Sequence, residues 1–282
     1  MKRIRENHKE WARHKKELRR RRKNKRKASF VPRIVVDTNI WYDLGDNEAL
    51  FLELKEKLAP TYVPLWELCH TGVLKNNPLR VRNACRRILE AQKNMIYEQP
   101  IRYLIKSCNK RKFKPNTIRE IYSLLEASSR IARGAIIAKD KEDEFYQYIL
   151  ATKQGLKDIK VSMDELASVC KSKIKNNQKH KERYSLHIII DYLNYLAKQE
   201  TNNRYNLRRL PLRNYELLIC VMDLFYKKLE TGETVWGRND LNDLFILAYV
   251  RKGDKYWTKD QKWIDLIKEA GCEEYLFNPD VK

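Results

Sequence analysis

The chain has 282 residues and 43% hydrophobic content, enough to bury a core in one large domain or two small ones. Its six cysteines stand singly at positions 69, 85, 108, 170, 220 and 272, with neither a CxxC pair nor a Cys/His comb at zinc-ligand spacing. A disulfide framework and a zinc finger are therefore excluded, and a reducing cytoplasm is the expected compartment. The first residues are charged and no apolar run approaches ~18 residues, so neither a secretory leader nor a membrane span is expected.

The net charge of +22 is unevenly placed. Residues 1–27 carry 15 Lys/Arg against 3 Asp/Glu, and residues 101–211 carry 24 against 12, whereas the remainder has 20 against 22. Basic charge sits in an arm and a central stretch, and the rest is close to neutral. A polyanion gripped beside an acidic site requires that kind of separation.

In chain order, the densest feature comes first. Arg19-Arg20-Arg21-Arg22-Lys23-Asn24-Lys25-Arg26-Lys27 packs eight cations into nine residues, too many for an ordinary solvated face. Like-charge repulsion predicts an arm, residues 1–30, that stays disordered until an anion neutralises it. Nucleic acid is the expected contact, through Arg19, Arg20, Arg21, Arg22, Lys23, Lys25, Arg26 and Lys27; a solubilising tail or an acidic protein surface is the alternative.

The β-branched run Ile34-Val35-Val36 predicts a buried strand that closes on Asp37, and Thr38-Asn39 turns it into a helix. Residues 47–58 read as a second helix and Thr61-Tyr62-Val63 as a second strand. Pro64 then suits the first turn of a helix that carries Glu67 and ends near Gly72. A helix over 78–96 follows. This β-α-β-α beginning predicts an α/β fold with a parallel sheet.

Between 101 and 211 no strand is predicted. Ile118, Ile121, Leu125 and Ile131 stripe one helix; Phe145, Ile149 and Leu150 mark another; Ser162 with Glu165 forms a capping-box pattern ahead of Leu166 and Val169; and Leu186, Ile189, Ile190, Leu193 and Leu196 stripe a fourth. The expectation is an all-helical insertion that splits the sheet in sequence, with a core made of 31–100 plus 212–282. Beyond it come an apolar helix over 212–230 ending near Gly232, a helix over 240–252 stopping at Gly253, a strand at about 255–258, a helix over 260–270 stopping at Gly271, and Tyr275-Leu276-Phe277 as a last edge strand.

Four acids fall where these elements begin or end: Asp37, Glu67, Asp243 and Asp260. Strand C-ends and the helix N-termini facing them are where an open α/β sheet places its ligands. Singly, each acid is explained by helix capping or by the helix dipole. Converging, they would repel one another unless a cation compensated, and all-oxygen ligation selects Mg²⁺ or Mn²⁺ over Zn²⁺. His70, one turn from Glu67, reads as a structural histidine.

Asp37-Thr38-Asn39, Glu67 with Gly72, Asp243 ahead of Ile246-Leu247-Ala248, and Thr258-Lys259-Asp260-Gln261-Lys262-Trp263 resemble, in order and context, the motifs of PIN-domain nucleases. The resemblance covers roughly residues 33–98 and 212–280. It implies a three-layer core around a parallel sheet. It also implies a metal-dependent endonuclease, RNA being favoured over DNA, that leaves 5′-phosphate and 3′-hydroxyl ends. Asp37, Glu67, Asp243 and Asp260 would be both the catalytic residues and the metal ligands, with Thr38, Asn39 and Thr258 supporting them. Asp240 is either a first-turn acid of the helix or a fifth member of the site. The basic arm and the helical insertion depart from the compact bacterial toxins of that family. A nucleic-acid-binding scaffold, or a subunit of a larger ribonucleoprotein or defence assembly, is the alternative reading, and the insertion offers a surface for a second copy or a protein partner.

Overall fold

Ile34–Val36 forms β1, and each of its three residues is essentially inaccessible. That burial is possible because a helical layer covers each face of the sheet. In the computed structural model, which describes residues 32–108, 118–134, 143, 147, 181–235, 237 and 239–279, β1 lies between β2 (Leu58–Ala59) and β3 (Lys255–Trp257). Both pairings are parallel, with Val35 opposite Ala59 on one side and Tyr256 on the other. The fold is mixed α/β, mostly helical, with a small parallel sheet at its centre. The basic arm, Lys110-Arg111-Lys112, and the stripes at Phe145, Ile149, Leu150, Ser162, Glu165, Leu166 and Val169 lie outside the described residues.

Alternate strand residues point to opposite faces. Val35, Ala59 and Tyr256 enter one hydrophobic core; Ile34, Val36, Leu58 and Trp257 enter the other. The second core is built with α1 (Thr38–Asp46), α2 (Glu48–Leu54), α3 (Tyr62–Cys69), α5 (Pro78–Glu90), which follows the single turn α4 (Val73–Asn76), and α7 (Ile118–Ala132). The first is built with α6 (Pro100–Cys108), α8 (Lys181–Glu200), α9 (Glu216–Thr231), α10 (Asp240–Leu247) and α11 (Gln261–Glu269). The described residues from 33 onward form one compact unit. Two helices from the basic central stretch, α7 through Leu124 and Ala132 and α8 through Ile189, Leu193 and Ala197, complete these cores. Among the described residues no helix is long and apolar enough to cross a membrane.

Local chemistry sets the element ends. Asn47 caps α2 by accepting from Leu50 N at 3.0 Å, and Asn77 caps α5 ahead of Pro78, accepting from Arg80 N at 3.2 Å. Helix α9 stops at Gly232, whose φ of 79° is open to glycine at little cost. At the N-terminal ends of the strands, Arg33 pairs with the fully buried Asp254 carboxylate at 2.6 Å, and Arg251 N donates to the same group at 3.1 Å. This ties β1 to β3 at the end opposite the acids.

Several boundaries differ from the sequence expectation. The second strand is Leu58–Ala59 and not Thr61-Tyr62-Val63: Pro60 has no N–H to continue a ladder, and α3 already starts at Tyr62. Pro64 does stand in the first turn of α3, where its missing donor is harmless. Helix α5 ends at Glu90, short of residue 96, because the chain turns back onto β2. Asn94 donates from Nδ2 to Glu56 O at 2.8 Å, and Ile96 N donates to Pro60 O at 2.9 Å. Helix α10 ends at Leu247 instead of 252. The expected last strand reduces to one bridge, Tyr256 with Leu276, because Glu273–Tyr275 is a 3₁₀ turn.

Candidate functional site

The C-terminal ends of β1 and β3 are adjacent, so the residues that follow them meet. Asp37 N donates to Trp257 O at 3.0 Å, which fixes Asp37 beside Thr258. The Asp37 carboxylate is 3% exposed and accepts two hydrogen bonds: Thr38 N to Oδ1 at 2.6 Å, which caps α1, and Thr258 Oγ1 to Oδ2 at 2.8 Å. Thr258 Oγ1 in turn accepts from Asp260 N at 3.1 Å, and Asp260 caps α11 by accepting from Lys262 N at 2.9 Å.

Glu67 arrives from α3. The hydroxyl of Thr38 donates to its Oε2, and Asn242 Nδ2 donates to its Oε1 at 2.8 Å. Asp243, the next residue of α10, completes the set. Its carboxyl is pushed up to about 8, first by burial and then by the charges of Asp37 and Glu67, with Asp260 adding to them. Burial likewise raises Asp37 and Glu67, partly offset by hydrogen bonds from Thr258 and Thr38 to the first and from Thr38 and Asn242 to the second. Asp260 adds repulsion on Asp37, and Asp37 adds it on Glu67. The four sequence-predicted acids thus share one electrostatic neighbourhood, and none is ion-paired among the described residues.

Two further polar groups belong to this neighbourhood, and the sequence does not assign either of them to the site. The Tyr256 hydroxyl is fully buried near Asp37, Asp243 and Asp260, and its contact with Thr258, like that of Trp263 Nε1 with Asp243, falls short of hydrogen-bond geometry. The indole N–H eases the charge on Asp243 through a contact looser than a hydrogen bond. Asn242 is a third residue that sequence reasoning misses. Its place beside Asp243 is visible there, but nothing in the sequence indicates that its amide reaches Glu67, 175 positions away.

Asn39 and Asp240 make no hydrogen bond or ion pair with the four acids among the described residues: one is exposed and the other is held by partners of its own. Asn39 is exposed on the first turn of α1. Asp240 accepts from Lys262 Nζ at 2.6 Å and from Gly237 N at 2.6 Å, so its carboxylate is already neutralised. A Cβ on Gly237 would meet Asp240 Oδ1 at 3.0 Å, so a larger residue there would have to displace the carboxylate slightly. His70 donates from Nδ1 to Trp66 O at 2.7 Å and stacks on the Trp66 ring, and burial lowers its pKa; this fits a structural histidine.

Chemically, the acids fit a hard divalent cation. Asp37 is buried and the other three are half-buried, all their donor atoms are oxygens, and no cation pairs with them among the described residues. As the side chains stand, no group of three His, Cys, Asp or Glu among the described residues is close enough to hold one ion. Thr38, Thr258 and Asn242 instead hold Asp37 and Glu67 singly.

The charge on Asp243 has a consequence for stability. An acid raised from 3.8 to about 8 keeps its proton in the native state over a range where the unfolded chain has lost it. Its contribution to stability is full below the unfolded value and is lost as pH rises through about 8. Metal-free protein is therefore expected to weaken in urea between about pH 5 and about pH 8.5, and Asp243→Asn to weaken much less. A tenfold difference in proton affinity between the folded and unfolded chain corresponds to about 1.4 kcal/mol, so the variant gains on the order of a few kcal/mol over the wild type at the upper pH. Parallel losses in both proteins would show that Asp243 is not held protonated.

Comparison of the chain with protein-family models, with curated proteins and with solved structures finds no match.

Proposed function

We propose that the chain is a divalent-metal-dependent endonuclease of the PIN-like type, acting on RNA in preference to DNA. The observation that carries this reading is the convergence of four acids, unpaired by any cation among the described residues, at the C-terminal end of a parallel sheet covered on both faces. Asp37, Glu67, Asp243 and Asp260 would hold Mg²⁺ or Mn²⁺. A divalent ion bound there supplies neutralisation of phosphate charge and lowers the pKa of a coordinated water.

The chain's own residues prepare that site. The hydroxyls of Thr38 and Thr258 and the amide of Asn242 each hold one carboxylate oxygen, fixing Asp37 and Glu67 and limiting their movement towards each other. Lys262 is held at the start of α11 by Asp240, so its charge is already engaged. The near-neutral core of residues 31–100 plus 212–282 would perform the chemistry. The arm, with residues 101–211, would grip the polyanion, giving charge contacts that position it without reading base edges.

Full-length protein incubated with single-stranded RNA, structured RNA and both forms of DNA, in Mg²⁺ and in Mn²⁺, tests the proposal, with Asp37→Asn run beside it. Cleavage of RNA to 5′-phosphate ends, lost in EDTA and in the variant, is expected. Binding of RNA with no cleavage in either metal would instead make the chain a nucleic-acid-binding scaffold.

A further inference from the structure

A cleft of about 500 Å³ opens between α3, α6, α8 and α10. Three aromatic rings, Tyr62, Trp66 and Phe245, contribute to its walls, and the amides of Gln199 and Asn242 face it. No Lys or Arg is among its lining residues, and Glu200, which does line it, pairs with Arg102. Asn242 is shared: it lines the cleft while its Nδ2 donates to Glu67 Oε1 at 2.8 Å. The cleft is therefore continuous with the acidic site through one side chain.

Those walls select a class of ligand. Flat aromatic faces stack on other rings, and amide edges offer both a donor and an acceptor to a planar polar edge. With no cation in the lining and its one carboxylate already paired, the cleft offers a phosphate no counter-charge. The size lies within the range of pockets that enclose a small organic group. On the reading that the chain acts on nucleic acid, we propose that this cleft is a subsite for one unstacked base of a single-stranded substrate, held next to the acids by Asn242. Base stacking on aromatic residues tolerates any sequence. The subsite therefore selects single strands over duplex and adds little base preference, because a paired base cannot enter.

The test reads binding and not cleavage. Full-length protein in EDTA is titrated with a short single-stranded RNA oligonucleotide and with copies carrying one abasic residue at successive positions. One or two positions are expected to cost on the order of tenfold in affinity when the base is removed. In Phe245→Leu, which keeps an apolar side chain of similar bulk but lacks a ring, that positional effect should shrink severalfold while the abasic oligonucleotides bind as before. Gln199→Ala, at an exposed position, should shrink it in the same direction. A flat abasic scan on a tightly bound oligonucleotide would overturn the subsite and leave the nuclease reading standing. So would an undiminished positional effect in both variants. Failure of the intact oligonucleotide to bind would instead remove the nucleic-acid reading, and the subsite with it.

Discussion

Asp37→Asn is expected to lower the rate of Mg²⁺-dependent RNA cleavage at saturating substrate by on the order of 10³-fold or more, with the circular dichroism spectrum unchanged. The substitution is chosen for what it keeps. Asparagine caps a helix about as well as aspartate, so the bond from Thr38 N to Oδ1 that starts α1 survives, while Nδ2 replaces the oxygen that accepts from Thr258 and can donate to that hydroxyl instead. What is lost is a charge. Because that charge repels Glu67 and Asp243, the metal-free variant should be no less stable than the wild type. Asp260→Asn follows the same logic, since Asp260 caps α11. Removal of the hydroxyl in Thr258→Val is milder, about 10- to 100-fold, as expected for a partner that orients a ligand. An Asp37→Asn protein with unchanged activity would take that residue out of the site.

Deletion of residues 1–30 is expected to weaken binding to single-stranded RNA and to flatten its dependence on salt. Each phosphate neutralised contributes a slope of about −0.7 for a single strand, so an arm making ~5 contacts accounts for roughly 3.5 of the logarithmic slope. Between about 50 and about 200 mM salt, that difference alone is on the order of 100-fold in affinity. Charge contacts carry no sequence information, so unrelated oligonucleotides should lose affinity by a similar factor. Affinity measured against salt for both forms decides it. Equal slopes would assign the arm to a protein partner.

The sheet is legible in the sequence where one physical signal dominates. The β-branched run of β1 has few alternatives once both faces are covered, and Asp37, at its end, is identified together with the helix it caps. Helix stops at Gly232 and Gly271 agree with the structure for the same reason, since both residues have positive φ. Short strands are less legible. β2 has two residues, too few for a period-two pattern, and its place is set by Pro60 and by the returning chain at Asn94 and Ile96, neither of which the local pattern contains.

The acids stand out because they sit at element ends, a position readable in one dimension. Their partners do not. Asn242 reaches Glu67 only because α10 packs beside α3, and only the packing brings the polar atoms of Tyr256 and Trp263 near Asp243. Asp240 shows the converse. Its spacing from Asp243 places it on nearly the same helix face, but Lys262 and Gly237 occupy it.

The central claim is that Asp37, Glu67, Asp243 and Asp260 form one divalent-cation site, and Mn²⁺ titration followed by electron paramagnetic resonance tests it without reference to any substrate. Wild-type protein is expected to deplete the free Mn²⁺ signal in a saturable way, and Asp37→Asn and Asp243→Asn each to weaken that depletion at least tenfold, with competition by Mg²⁺ and not by monovalent salt. A free-ion signal left untouched by the wild type, or depleted equally by both variants, would contradict the claim.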